Sequence, residues 1–388
     1  MDKIKRLFLF NPDCEMAIAD GGNFYTPPKN VVRMVQDLAF LPAWLSKPGD
    51  GVLVYEQPDE LFWKETCQPL QLTIQSVSIH ELTANSAWRG EPWGKSPNMG
   101  HWLKTYGLGE AWHPEQKEWY SRKTAQKGLE VLLKTMPDLE IDILPRCCYS
   151  MEEIEKVISS GDFFIKAPWS SSGKGLLALS KKIGDKEREW IGGILRRQGY
   201  VMVEKRLDKV KDFAMEFQKG EKGCEFIGWS SFITGQQGEY RGNLLGSQEM
   251  IEQDLSNYLS TEVCMELKQK LPEMLNQLLP EYRGFLGVDM MIYRNQNGIH
   301  TLQPCLEINL RYNMGIIALF FSQRYLDPRV QGVFRVDYYA HPGEALKSIQ
   351  HFRQVYPAKY KNNRLKAGYL NLTPVSETTH FVASVQCY

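Results

Sequence analysis

The sequence predicts an α/β protein in which a small parallel unit is followed by α+β structure with antiparallel strands. Three observations lead there. Leu7–Phe10 and Val52–Tyr55 are short apolar runs separated by a helical pattern around Val31–Leu45, and strand–helix–strand order favours a parallel sheet. Phe213–Gln218 and Phe226–Ile233 read as neighbouring antiparallel strands. Finally, Gly287–Tyr293 runs through Arg294-Asn295-Gln296-Asn297-Gly298, a hairpin signal, into the β-branched stretch that ends at Arg311.

At 388 residues the chain can hold two or three domains and a substantial core. Lysine plus arginine and aspartate plus glutamate are both 46, so the basic excess expected of a nucleic-acid or membrane-surface protein is missing. Eight scattered cysteines form no CxxC pair, which argues against zinc and for reduced thiols. The apolar run Leu7–Phe10 stops at Asn11-Pro12, too short for a signal peptide, and no later segment reaches membrane-spanning length. The expectation is a soluble, cytoplasmic, globular protein without nucleic-acid or membrane partners.

The remaining elements follow from local signals. Residues 80–120 read as loop and carry Trp88, Trp93, Trp102, Trp112 and Trp119; packing under long loops is the main reading and a pocket wall the lesser one. Ser121 caps a helix to Met136, and Ile141–Leu144 reads as a strand ended by Pro145. Ser150-Met151-Glu152-Glu153 is a capping-box start for a helix through Ile158. Strands at Phe163–Lys166 and Leu176–Leu179 flank a Ser/Gly loop, Lys186–Gln198 is helical, and Tyr200–Val203 is a strand. Asp254–Leu279 reads as one helical stretch, Ile316–Tyr325 as an apolar helix, and the tail after His341 as mixed.

The chemistry sits at a few places. On a strand, Glu307, Asn309 and Arg311 point to one face. A carboxylate and an amide oxygen are hard ligands for Mg²⁺, and a guanidinium beside them can hold phosphate. Asp289 is a lone acid inside an apolar strand. A two-residue turn at Asn297-Gly298 would send Asp289 and Glu307 to opposite faces; a three-residue loop, Gln296 to Gly298 with Gly298 left-handed, would place them diagonally on one face, about 7–8 Å apart. The metal reading therefore requires an odd loop, and the other reading of the acids is a solvated sheet face. Lys166 with Ser170, Ser171, Ser172, Gly173, Lys174 and Gly175 could cradle phosphate through backbone amides and hydroxyls, or be a solvated hairpin. It is neither a Walker A loop nor a GxGxxG turn. Glu204-Lys205-Arg206-Leu207 follows a strand and could read an adenine edge with Leu207 against the ring, while Asp212 could accept from ribose; the other reading is a charged turn. Asn11-Pro12-Asp13 and Gly21-Gly22 follow the first strand, where α/β sheets bind ligands, and a tight turn explains them equally.

Taken in order, Lys123, Lys166 with its loop, Glu204-Lys205-x-Leu207…Asp212, Asp289 and Glu307-x-Asn309-x-Arg311 resemble the ATP-grasp superfamily over roughly residues 120–320. The resemblance implies an ATP-grasp fold: an N-terminal α/β domain (1–120), a small subdomain with the loop (121–205), a large subdomain with the metal site (206–345) and a C-terminal extension (346–388). It implies ATP and Mg²⁺ (or Mn²⁺) as cofactors. Lys123 and Lys166 would contact phosphates, and residues 170–175 would close over the γ-phosphate. Glu204, Lys205, Leu207 and Leu306 would frame adenine, and Asp212 would bind ribose. Asp289, Glu307 and Asn309 would hold metal, and Arg311 and Lys166 would stabilise transferring phosphate. Two positions depart from the family pattern: Leu310 replaces a proline, and Gly287 stands where some ligases have an arginine, for which Arg241 is a candidate substitute. The implied activity joins a small carboxylate to an amine or thiol through an acylphosphate. A phosphotransferase or a non-catalytic nucleotide-binding protein would use the same site. Oligomeric state, a homodimer included, is left open.

Overall fold

A computed structural model describes residues 5–82, 88–170, 175–180, 182–235 and 240–388. Three sheets organise them. The first is parallel, in the order β3-β2-β1-β4, from β1 (Lys5–Leu9), β2 (Gly51–Val54), β3 (Gln75–Ser78) and β4 (Trp88–Pro92). The second is antiparallel, β5-β8-β6-β7, from β5 (Arg146–Cys148), β6 (Asp162–Lys166), β7 (Leu176–Ser180) and β8 (Val201–Lys205). The third has nine antiparallel strands in the order β13-β12-β9-β10-β11-β14-β17-β16-β15. These are β9 (Asp208–Gly220), β10 (Gly223–Thr234), β11 (Tyr240–Leu245), β12 (Gly284–Arg294), β13 (His300–Asn309), β14 (Gly332–Tyr338), β15 (Lys359–Lys361), β16 (Arg364–Asn371) and β17 (Phe381–Cys387).

Helices fill the gaps: α1 (Cys14–Asp20), α2 (Lys29–Asp37), the single turn α3 (Glu60–Phe62), α4 (Pro97–Thr105), α5 (Arg122–Thr135), α6 (Met151–Ile158), α7 (Asp185–Gln198), α8 (Gln248–Leu255), α9 (Thr261–Leu278), α10 (Met314–Tyr325) and α11 (Glu344–Val355). Phe213, Met215 and Phe217 of β9 alternate with Asp212, Ala214 and Glu216, so one face of the large sheet is apolar; it shares a core with Leu129 and Leu132 of α5 and Leu267 and Leu271 of α9. The opposite face carries the acids. A second core joins Phe8 and Trp44 of the N-terminal unit to Phe321 of α10 and Leu370 and Val385 of β16 and β17. Trp44 also donates its indole N–H to the Leu372 carbonyl at 2.8 Å. The mixed tail is therefore not peripheral: its strands complete the large sheet and anchor the N-terminal unit to it. Among the described residues no helix is long and apolar enough to cross a membrane.

Several expectations shift. The stretch expected as loop over 80–120 holds regular elements in its described part: β4 pairs in parallel with β1, α4 follows, and Pro114–Tyr120 is 3-10 helix, while residues 83–87 lie outside the described residues. Trp88-Arg89-Gly90-Glu91-Pro92 lacks apolar alternation because an edge strand needs only one paired side. Ile141–Leu144 is not a strand: Ile141–Ile143 is a 3-10 turn with Ile141 78 % exposed, and the strand is β5, after Pro145. The helix drawn over Val31–Leu45 ends at Asp37 and resumes as 3-10 turns at Leu41–Leu45, where Pro42 fits the first turn. The stretch Asp254–Leu279 breaks after Leu255, and Ser260 caps a new helix by accepting from Val263 N.

Candidate active site

The β12–β13 hairpin sets the register of the acids. Asn295 N donates to the Ile299 carbonyl at 2.9 Å, and Gly298 N to the Asn295 carbonyl at 2.9 Å. Gly298 has φ +76°, a left-handed conformation open to glycine, so the loop is the odd one the metal reading required. The ladder then slips between Asp289 and Met291, and Asp289 comes directly opposite Glu307 rather than diagonal to it. Because β9 pairs on the other side of β12, two rows form on one face: Ala214–Asp289–Glu307 and Glu216–Gly287–Asn309.

Hydrogen bonds lock these rows. Asn309 Nδ2 donates to Asp289 Oδ2 at 3.0 Å, and Arg311 Nη2 donates to Asn309 Oδ1 at 3.0 Å. Burial, reinforced by the charge of Glu307, pushes the Asp289 carboxyl up to about 7. Arg311 also pairs through Nε with Glu15 of α1, which ties the N-terminal unit to this end of β13. Burial alone would lower the Arg311 pKa, and the Glu15 carboxylate outweighs it.

The small sheet supplies a second charged pair. Lys166 and Glu204 lie diagonally on adjacent antiparallel strands, both buried, and form an ion pair. Arg122, the first residue of α5, links the two sheets. Its Nη1 lies 3.1 Å from Glu307 Oε2, its Nε donates to the Ala167 carbonyl at 3.2 Å, and its Nη2 reaches Ser170 Oγ at 3.5 Å. Burial opposes its charge, but Glu307, then Glu204 and Asp289, hold it protonated. The Ser/Gly loop is closed at its base by Ala167 N donating to the Gly175 carbonyl at 2.8 Å. Ser171, Ser172, Gly173 and Lys174 lie outside the described residues.

The other expected residues fall in varied places. Lys205 turns its ammonium outward to Asp142, leaving its backbone at the strand end, and Leu207 and Leu306 are half-buried against one core. Asp212 accepts from Lys209 at 2.8 Å and Thr234 Oγ1 at 2.5 Å, on the same face as Asp289. Lys123 does not join the acids: its ammonium sits 3.8 Å from the Tyr200 ring and 5.1 Å from that of Tyr149, because successive helical residues diverge by about 100°. Arg241 is exposed on β11, within the electrostatic reach of Asp337.

Three charged residues escaped sequence reasoning. Arg122 had a signal: a cation in the first turn of a helix opposes the macrodipole and wants an acid partner. Glu216 had the same signal as Asp289, an acid inside the apolar run Phe213–Phe217. Its carboxylate accepts from Asn313 Nδ2 at 2.8 Å and occupies a slot that a Cβ on Gly287 or Gly315 would fill; burial pushes it up to about 8. Glu15 had none, since its partner is 296 residues away.

The donor set fits a divalent cation shared with phosphate. Two facing carboxylates and an amide oxygen are hard ligands, and a buried Asp289 beside Glu307 lacks charge compensation that such an ion supplies. A cage made by protein alone does not fit: among the described residues no three His, Cys, Asp or Glu side chains gather to hold a metal. Asn309 Oδ1 would have to leave Arg311 to coordinate.

No family model matches the chain, and no curated protein sequence matches it. Solved structures do. The biotin carboxylase domain of 2-oxoglutarate carboxylase from Hydrogenobacter thermophilus, with magnesium ADP and bicarbonate, aligns over 100 % of this chain and 87 % of its own at 9 % identity and TM-score 0.54. Biotin carboxylase from Campylobacter jejuni, in a βγ-ATP complex, aligns over 99 % and 87 % at 10 % identity and TM-score 0.53. N5-carboxyaminoimidazole synthetase from Staphylococcus aureus aligns over 100 % and 95 % at 11 % identity and TM-score 0.50. At such identities the likeness speaks to architecture, and the architecture is plain: this chain has the ATP-grasp fold.

Proposed function

We propose that this protein is an ATP-dependent ligase that activates a small carboxylate as an acylphosphate for attack by an amine or thiol. One observation carries the reading: Arg122 bridges the Lys166 loop to Glu307, so the charged groups of both sheets meet at one place. The fold-mates solved with ADP or ATP, and with bicarbonate in one case, are consistent with this chemistry.

In this reading ATP lies between the sheets, with adenine at Glu204–Leu207 and its ribose near Asp212. Asp289, Glu307 and Asn309 would hold Mg²⁺ or Mn²⁺, which would supply neutralisation of phosphate charge. Lys166 and Arg122 exchange their carboxylate partners for phosphate oxygens, with Ser170 and Gly175 flanking the closing loop. Arg311, fixed by Glu15, holds one orientation toward the transferring group. A substrate carboxylate oxygen attacks the γ-phosphorus and ADP departs. The acceptor nitrogen or sulfur then attacks the acyl carbon, and phosphate leaves. Positioning and electrostatics do this work, with no covalent protein intermediate. For the cation missing at Gly287, Arg122 on Glu307 is better placed than Arg241 beside Asp337.

The test is a phosphate-release screen with pooled amino acids and small carboxylates, with and without amine acceptors. Ligation makes ADP formation depend on two co-substrates. Dependence on one alone would replace this reading with a phosphotransferase.

A further inference from the structure

The N-terminal unit contains a cavity of about 400 Å³ at the carboxyl ends of β1 and β2, enclosed by the segment 21–28, α2 and α4. In open parallel sheets this is the end where ligands bind. It is walled by Phe10, Val32, Val35, Tyr55, Met99 and Trp102, and its floor holds a single acid, Asp13. Asp13 is only 8 % exposed, yet among the described residues it has no ion pair and no hydrogen bond to another residue; its carboxylate accepts from its own backbone amide. None of the described lining residues is lysine or arginine. The hydroxyl of Tyr25 is also buried without a partner, and both Tyr25 and Tyr55 lie in the field of Asp13. At the mouth Phe24, 83 % exposed, leans edge-on against His101 with ring centroids 5.1 Å apart.

A largely buried carboxylate held by nothing but its own backbone amide, beside a buried hydroxyl with no partner, is costly, and a ligand that satisfies both would offset that cost. The charge balance says which ligand. An anion entering here would face Asp13 with no compensating cation, whereas an ammonium would pair with it and sit among aromatic faces. We propose that this cavity is the acceptor subsite: it takes a primary amine with an apolar or aromatic body, whose ammonium pairs with Asp13 and Tyr25 while the body lies against Val32, Val35 and Trp102. This rests on the ligase reading and names its nucleophile as an amine rather than a thiol: the ammonium passes one proton to the Asp13 carboxylate to free the nitrogen lone pair, and the second proton leaves with the departing phosphate. The placement suits that role, since Asp13 and Glu15 share the first turn of the chain after β1, and Glu15 holds Arg311. Burial raises the Asp13 carboxyl above its ordinary range, consistent with the absence of a cation beside it.

The experiment is calorimetric titration of the full chain, without nucleotide, with 2-phenylethylamine and with 3-phenylpropionate as a carboxylate of similar body. The amine should bind and the acid should not. Asp13→Asn should weaken the amine tenfold or more, and Tyr25→Phe about threefold, with affinity for magnesium ADP unchanged in both as evidence of folding. Equal binding of the acid, no binding of either probe, or an Asp13→Asn variant with wild-type amine affinity would each overturn the assignment. Because these titrations use no ATP, failure of the phosphate-release screen would remove the ligase reading and leave the amine result standing, and the reverse.

Discussion

The acid rows of the large sheet and the cavity of the N-terminal unit are built by opposite means. In the rows, polar groups are partnered at once: Asp289 accepts from Asn309, Asn309 from Arg311, and the charges of Arg311, Glu307 and Lys166 are opposed by Glu15, Arg122 and Glu204. The cavity instead surrounds one lone carboxylate with apolar walls. The contrast teaches that buried charges can be held by mutual pairing across three sheets, which is the arrangement the proposed nucleotide site would need in order to trade partners for phosphate and metal. A small cationic ligand needs only one buried charge left open.

Perturbing the network should give the largest effects. Asp289→Asn and Lys166→Ala should each lower ATP turnover by about a thousandfold or more, measured as ADP release, with circular dichroism unchanged. Wild-type turnover in either would detach the rows from ATP chemistry. Next, Arg122→Ala should cost about a hundredfold and Lys123→Ala much less, since only Arg122 reaches Glu307. The reverse order would show that the helix start rearranges when nucleotide binds.

A smaller effect concerns Glu216. Its folded-state pKa is raised from the ordinary 4.5 to about 8, so between those values the folded chain keeps a proton that the unfolded chain loses. The contribution is favourable below about pH 4.5 and is lost as pH rises toward 8, with a slope of at most about 1.4 kcal/mol per pH unit. Glu216→Gln should therefore flatten the pH dependence of the urea midpoint over this window. Asp289, pushed up to about 7, titrates there too, so some slope should survive. Parallel profiles for the two proteins would remove Glu216 from the account. The smallest effect is Gly298→Ala in the hairpin, where φ +76° strains any side chain; a loss of about 1 kcal/mol is expected from chemical denaturation.

Much of the acid-row site could be read from the chain alone, because strands alternate and hairpins have rules. The side-by-side placement of Glu307 and Asn309 follows from a period of two, whereas Asn297-Gly298 allowed both an even and an odd loop, and the structure chose the odd one. The slip that moved Asp289 from diagonal to opposite was not legible, since a bulge is set by both strands together. The sequence reading named Lys123 and passed over its neighbour Arg122; packing of α5 against β13 and the contacts of Arg122 with Ala167 and Glu307 put Arg122 on the inward face. The described part of residues 80–120 was misread because an edge strand and a short helix with a single tryptophan each bury their apolar groups irregularly.

The sequence by itself determined most strands and helices between Phe163 and Tyr325, the shared face of Glu307, Asn309 and Arg311, and the likeness to ATP-grasp proteins. These depend on separations of a few residues, which local periodicity encodes. Tertiary structure decided that Glu15 meets Arg311, that the last strands complete the large sheet beneath the N-terminal unit, and that Asp13 lies unpaired in an apolar cavity. Those contacts join residues tens to hundreds apart, and long-range packing of apolar faces, not local pattern, brings them together.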